Sequence, residues 1–294
     1  MHLPVLLHEV IDHLDLEDGD VILDATLGGG GHAVEILKKI VPTGTLIAVE
    51  KDPEAIEISK KRLKDFAKNI IYVNDDFRNI DKILKKVNIE KLAGAVFDLG
   101  VSSFQLDEGR KGFSFLRDGP LDMRFNAGRG LSARDIVNSF KREELASIIK
   151  EYGEERYARR VAEAICKARE EKAITTTGEL ADIIVKAVGN KYRSQKLHPA
   201  VRTFQAIRIF VNDELTSIEE AAGKTIDHLM AGARICVISF HSLEDRIVKN
   251  AFRREAVSGR VRLLRKKPIT PSREELEHNA RSRSAKLRVA ERLA

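Results

Sequence analysis

The stretch Val21-Ile22-Leu23-Asp24-Ala25-Thr26-Leu27-Gly28-Gly29-Gly30-Gly31-His32-Ala33 decides the fold of this chain. It opens on the short apolar run expected of a strand covered on both faces. The glycines that end it lead into helical spacing at Val34, Leu37 and Ile40. Strand, glycine-rich turn and helix together make the first unit of a doubly wound sheet. The pattern then repeats. Thr45–Glu50 is a second strand run, Pro53 stands where a first helical turn accepts proline, and Ile70–Val73 gives a third strand. A helix over Ile80–Val87 and a fourth strand over Ala93–Asp98 follow. Such alternation makes a parallel sheet with helices on its faces the economical arrangement.

Beyond Asp98 the alternation stops. Residues 103–130 are rich in glycine, phenylalanine and arginine and predict a long ordered loop. Helical spacing covers 132–152, 154–171, 177–188 and 199–211 with no strand run between. A helix over 213–230, a strand over Ile235–Phe240 and a helix over Leu243–Arg254 resume the first pattern. Val261–Leu264 and Lys286–Val289 are the last strand runs, and no clear crossover helix joins them, which predicts an antiparallel end to the sheet. The expected organisation is an α/β, doubly wound Rossmann-like core formed by 1–104 and 213–294, with a loop and an inserted all-helical domain over 105–212.

Composition narrows the class. Of 294 residues 43% are hydrophobic, enough for a sizeable core, and the two cysteines, Cys166 and Cys236, form no CxxC pattern. No apolar run is long enough to cross a bilayer and no basic-then-apolar leader opens the chain, so a soluble cytoplasmic protein is expected. The net charge of +6 is unevenly spread. Residues 1–104 carry 13 Lys/Arg against 18 Asp/Glu, whereas 246–294 carry 15 against 5. A basic block on a folded core attracts polyanions, chiefly nucleic acid; a solvated basic surface is the plainer alternative.

Gly28 to Ala33 satisfies G-x-G-x-x-A, and Glu50 ends the next strand 22 positions after Gly28. That pattern also fits a dinucleotide-binding enzyme, so a nicotinamide-dependent oxidoreductase stays in view. Asp24 argues against it, because a carboxylate four residues before the first glycine repels a pyrophosphate. It suits instead a ligand carrying ammonium or sulfonium charge. S-adenosylmethionine has both, and a ribose whose hydroxyls can donate to Glu50. Phe77, past the third strand, can lie against an adenine or simply pack in the core. Asp98 ends the fourth strand, where substrate and methyl group should meet, with Gln105 close behind.

Several segments resemble a known family. Asp98-Leu-Gly-Val-Ser-Ser103, Gly112-Phe-Ser-Phe-Leu-Arg-Asp-Gly-Pro-Leu-Asp-Met-Arg124, His198-Pro-Ala-Val-Arg-Thr-Phe-Gln-Ala-Ile-Arg208 and Ser239-Phe-His-Ser-Leu-Glu-Asp-Arg-Ile-Val-Lys249 are similar to the bacterial small-subunit ribosomal RNA cytosine-N4 methyltransferases of the RsmH/MraW type. The resemblance runs over nearly the whole chain. It implies methylation of N4 of a cytidine in the decoding region of 16S rRNA, with S-adenosylmethionine as cofactor and the small ribosomal subunit as partner. Carried over by position, the cofactor contacts fall on Gly30, Gly31, His32, Glu50, Phe77, Asp98 and Gln105. His32 could donate to the cofactor carboxylate or be merely solvated. One departure stands out. Asp98-Leu99-Gly100-Val101 lacks the prolines and aromatic of the tetrad that many amine methyltransferases use, so their catalytic details do not transfer.

Cytosine N4 is a poor nucleophile, because its lone pair is delocalised into the ring. Asp98 is the expected hydrogen-bond acceptor that draws it toward attack, or a cofactor ligand alone. A covalent route needs a positioned thiolate, and both cysteines read as structural. Phe113, Phe115 and Phe125, interleaved with Arg110, Arg117, Arg124 and Arg129, suit RNA contact or loop anchoring; Arg202 and Arg208 share that status. His198, His228 and His241 show no metal-ligand spacing, so no metal is implied. A membrane partner is not expected, and self-association stays open, as does a non-catalytic RNA-binding or assembly role.

Overall fold

The structure is a computed structural model that describes residues 4–107, 109–192 and 197–294. Its strands are β1 Val21–Asp24, β2 Thr45–Glu50, β3 Ile70–Asn74, β4 Leu92–Asp98, β5 Leu229–Ser239, β6 Val261–Leu263 and β7 Lys286–Arg292. Its helices in the first part are α1 Leu7–Leu14, α2 Gly31–Ile40, α3 Pro53–Arg62 and α4 Ile80–Lys86. Then come α5 Ser103–Asp107, α6 Ala133–Ser139, α7 Arg142–Gly153, α8 Ala158–Glu171, α9 Thr177–Tyr192 and α10 Val201–Asn212. The last are α11 Glu214–His228, α12 Ser242–Val257 and α13 Arg273–His278. The chain divides into two compact units, Met1–Gly100 with Leu215–Ala294, and Val101–Glu214.

The first unit holds one seven-stranded sheet in the order β3-β2-β1-β4-β5-β7-β6. β1 to β5 are parallel, and β7 pairs antiparallel with both β5 and β6. Side chains alternate between the two faces, as a strand requires. Leu23, Ile47, Val49, Ala95, Phe97, Ile235 and Val237 join a core with Ile80 and Ile83 of α4 and Val248 and Phe252 of α12. Ile22, Leu46, Ala48, Val96, Cys236 and Ile238 join the other core, with Val10 of α1 and Ile36, Leu37 and Ile40 of α2. Both faces are covered, and that is why the strands read as unbroken apolar runs rather than alternating ones.

The second unit is helical around its own core, to which Ile136, Ile149, Val161, Ile184 and Ile207 contribute. Three expectations are corrected here and in the sheet. The helix expected over 132–152 is two, α6 and α7, because Phe140 and Lys141 are extended and Glu144 accepts from the Lys141 N–H at 2.7 Å. Both helices bury their apolar faces in one core, so the periodicity runs across the break. The loop over 103–130 opens with the short α5, and Glu108 lies outside the described residues. β5 begins at Leu229, well before Ile235; Met230–Gly232 are exposed and Gly232 and Arg234 interrupt the apolar run. Helices α1 and α13 were not expected. Among the described residues no helix is long and apolar enough to cross a membrane.

Candidate functional site

In an open α/β sheet the ligand crevice lies at the carboxyl ends of the strands, where the strand order reverses. Here that point is between β1 and β4, which are neighbours, with β2 and β3 on one side and β5 on the other. Asp24 ends β1 and Asp98 ends β4, and Thr26 ties the two ends together. Its Oγ1 accepts from the Asp98 N–H at 2.6 Å, and its own N–H donates to Asp24 Oδ1 at 3.1 Å. Nothing in the sequence beyond position singled out Thr26.

The glycine turn follows β1. Gly30 has φ +73° and caps α2, whose first residue is Gly31. A Cβ on Gly31 would sit 2.6 Å from Pro4 Cγ, so the segment leading into α1 closes over the turn and admits only glycine there. A Cβ on Gly29 would meet nothing within 4 Å, leaving that side of the turn open. The first N–H groups of α2 have no intrahelical partner and face outward from the helix start, which suits an anionic group such as a carboxylate. Glu50, at the end of β2, is fixed by two backbone donors: Gly28 N–H to Oε2 at 2.8 Å and Asp52 N–H to Oε1 at 2.9 Å. Burial nonetheless holds its pKa above the usual range.

His32 is not solvated: its ring is buried, with Nε2 3.1 Å from the Val5 carbonyl. That carbonyl can only accept, so Nε2 carries the hydrogen and Nδ1 presents its lone pair to Asp98 Oδ2 at 3.6 Å. Burial lowers the His32 pKa to about 4. Burial, with the charges of Asp24 and Glu244, raises that of Asp98 to about 8. Burial likewise lifts Asp24 to about 7, with Glu50 adding to the rise. Near neutral pH the His32 ring is neutral, and Asp98 favours its protonated form. The other oxygen, Asp98 Oδ1, is buried without a hydrogen-bond partner. Glu244, absent from the expected site, is fully buried at the start of α12 and accepts from the Phe240 N–H at 2.7 Å.

These linked acids make a stability prediction. Their folded pKa values lie above the unfolded value of 3.8, so their contribution is intact below that pH and is lost as pH rises through about 7 to 8. The cofactor-free protein should melt at progressively lower temperature from pH 5 to pH 9, and Asp98→Asn should flatten that fall. A parallel pH profile for parent and variant in calorimetry would refute the assignment.

Phe77 opens a short 3₁₀ turn after β3 and stands edge-on to Phe97, with ring centroids 5.5 Å apart; Lys51 Nζ lies 5.4 Å from its centroid. It is half-buried, so it serves the core while keeping part of its ring exposed. Gln105 belongs to the second unit, where its Oε1 accepts from the Ser102 N–H at 2.9 Å. In that unit Phe113 stacks on Phe125 at 5.3 Å and Phe115 on His198 at 4.6 Å, so these phenylalanines anchor the loop. Arg124 is engaged with Asp122, Arg202 with the Glu154 carbonyl, and Arg208 with both oxygens of Glu214 at 2.9 Å. Cys236 is fully buried in β5 and its thiol is pushed up to about 12 by burial; Cys166 lies in α8.

S-adenosylmethionine fits the residues of the first unit. A side-chain-free turn, helix-start donors, a fixed carboxylate on β2, the buried Asp24 and the half-buried Asp98 match carboxylate, ribose and a positively charged centre. The comparisons agree. A relative from Clostridium botulinum (strain Kyoto / Type A2), called ribosomal RNA small subunit methyltransferase H, is 48% identical over 99% of both chains. A protein of the same name from Carboxydothermus hydrogenoformans is 50% identical over 100% of this chain and 98% of its own. The fold is like that of a candidate rRNA-methylase solved from Clostridium thermocellum, at 12% identity and a TM-score of 0.50 with both chains fully covered. The model of the MraW methylase family matches residues 1–293, and with this match and those relatives the chain belongs to the MraW methylase family.

Proposed function

We propose that the chain is an S-adenosylmethionine-dependent methyltransferase acting on N4 of a cytidine in the decoding region of 16S rRNA. The observation that carries the reading is the unpartnered Asp98 Oδ1 at the strand-order reversal, one strand from the glycine turn. Family membership and relatives named for the small-subunit rRNA support the substrate.

When bound, the cofactor supplies an electrophilic methyl group. Gly30, Gly31 and the His32 backbone hold its carboxylate, Glu50 accepts from its ribose hydroxyls, and Phe77 lies against its adenine. Gln105 is assigned to the same set by its place in the motif. Asp24 and Asp98 favour a cationic ligand and release protons when one takes the place beside them. Asp98 Oδ1 accepts one hydrogen of the N4 amino group. That bond draws the nitrogen toward sp³ and aims its remaining lone pair. After methyl transfer N4 must lose a proton, and Asp98, once ionised, takes it at Oδ1. A target base must be unstacked to reach this depth.

The test is transfer of radiolabelled methyl from S-adenosylmethionine to 16S rRNA, naked, in assembly particles and in finished subunits, with the product nucleoside identified. Label in N4-methylcytidine is the expected result, and no label in any substrate would overturn the reading. The double variant Cys166→Ala/Cys236→Ala should transfer methyl like the parent, since no step uses a thiolate; a complete loss in a folded variant would restore a covalent route.

A further inference from the structure

The basic block at the end of the chain does not act as a whole, because much of it is neutralised within the first unit. Arg260 pairs with Asp227 and Glu255, Arg262 with Glu291 at 2.6 Å, and Lys286 and Arg288 with Asp245 at 3.3 and 2.7 Å. The strand β6 therefore offers no free cationic strip. Arg265, Lys266 and Lys267, just beyond it, are different: they are exposed and form no ion pair with a described residue. Arg283, ahead of β7, is likewise exposed and unpaired among the described residues.

Strand direction and register locate these groups. β5 runs with β4, β7 against β5, and β6 against β7, so β6 runs in the same direction as β4 and ends at the same edge of the sheet. Leu263 opposes Ala290, Ala290 opposes Ile235, and Ile235 opposes Ala95, which sets the end of β6 level with Ala95. Ile269 bridges Leu287, which opposes Ile238, which opposes Asp98. From Leu263 to Ile269 the chain takes six steps while its level advances only three, from Ala95 to Asp98. The excess chain must loop off the sheet edge, and Arg265–Lys267 are that loop. Three strand spacings put it roughly 14 Å to the side of β4. β7 begins opposite Ser239, so Arg283 also precedes the sheet at this edge.

We propose that the loop Arg265-Lys266-Lys267, with Arg283, is a phosphate-binding surface that holds the RNA strand beside the methyl-transfer site. The inference rests on the reading of the substrate as RNA. Unpaired cations at this edge give up no internal partner when they meet phosphate, and they release the counterions that the strand carries. They position the strand and read no base.

Two triple variants with equal charge change test it. Arg265→Gln/Lys266→Gln/Lys267→Gln alters the loop. Lys82→Gln/Lys85→Gln/Lys86→Gln alters exposed residues of α4, which leads into the opposite, amino end of β4. Binding to a 16S rRNA transcript is measured from low to high salt, alongside calorimetry with S-adenosylmethionine and methyl transfer. The loop variant should bind RNA roughly tenfold to a hundredfold more weakly at about 0.1 M salt, with a log–log salt slope shallower by about 2. Its cofactor affinity and its turnover at saturating RNA should match the parent's, and the α4 variant should match the parent in all respects. Equal slopes for the loop variant and the parent, or equal losses in both variants, would overturn the surface. The substrate reading fails separately, if the parent transfers no methyl to RNA whatever its salt slope.

Discussion

Asp98→Asn should lower the single-turnover rate of methyl transfer at saturating cofactor on the order of 10²-fold, with a far smaller change in cofactor affinity. Asparagine has the shape of the protonated acid, and Thr26 accepts from the backbone N–H, so the fold and that contact should persist. Its Oδ1 can still accept a hydrogen bond, but no oxygen on it can ionise or take the proton that N4 sheds. The parent rate should rise with pH as the remaining unionised Asp98 loses its proton, in a profile whose midpoint a bound cation moves below the free value of about 8. The variant's rate should be flat there. Cofactor affinity falling in step with rate would make Asp98 a cofactor ligand alone, and an unaltered rate would remove it from the chemistry.

Glu50→Ala should weaken S-adenosylmethionine binding by about 1–3 kcal/mol, roughly 5- to 150-fold in Kd. Two losses add in the same direction. The ribose loses its charged acceptor, and the Gly28 and Asp52 N–H groups lose the carboxylate that fixes the turn beside β2. Glu50→Gln separates them, since one amide oxygen remains to accept while the charge is gone, and it should fall between parent and Ala. Titration calorimetry on folded variants checks both. Parent-like affinity in Glu50→Ala would take the residue out of the site.

The sequence by itself determined the parallel βα succession and its antiparallel end. It also placed a glycine turn and acids at strand ends, because these features are written in neighbouring residues: apolar runs, turn glycines and strand-terminal carboxylates. Thr45–Glu50 is read without error for that reason. Periodicity could not show the break at Phe140, since α6 and α7 share one core, nor the exposed start of β5. Only the tertiary structure decided the state of the site. The Asp98 pKa is raised because folding removes part of its water and brings Asp24 and Glu244 near it from distant segments. His32 turns inward because Val5, from the start of the chain, offers a carbonyl. Charge shows the same division. The count of fifteen cations in 246–294 is legible in the sequence, but which of them remain free depends on Asp227, Asp245, Glu255 and Glu291 arriving within ion-pair distance. Electrostatic energy follows separation in space and exposure to water, and neither is a function of separation along the chain.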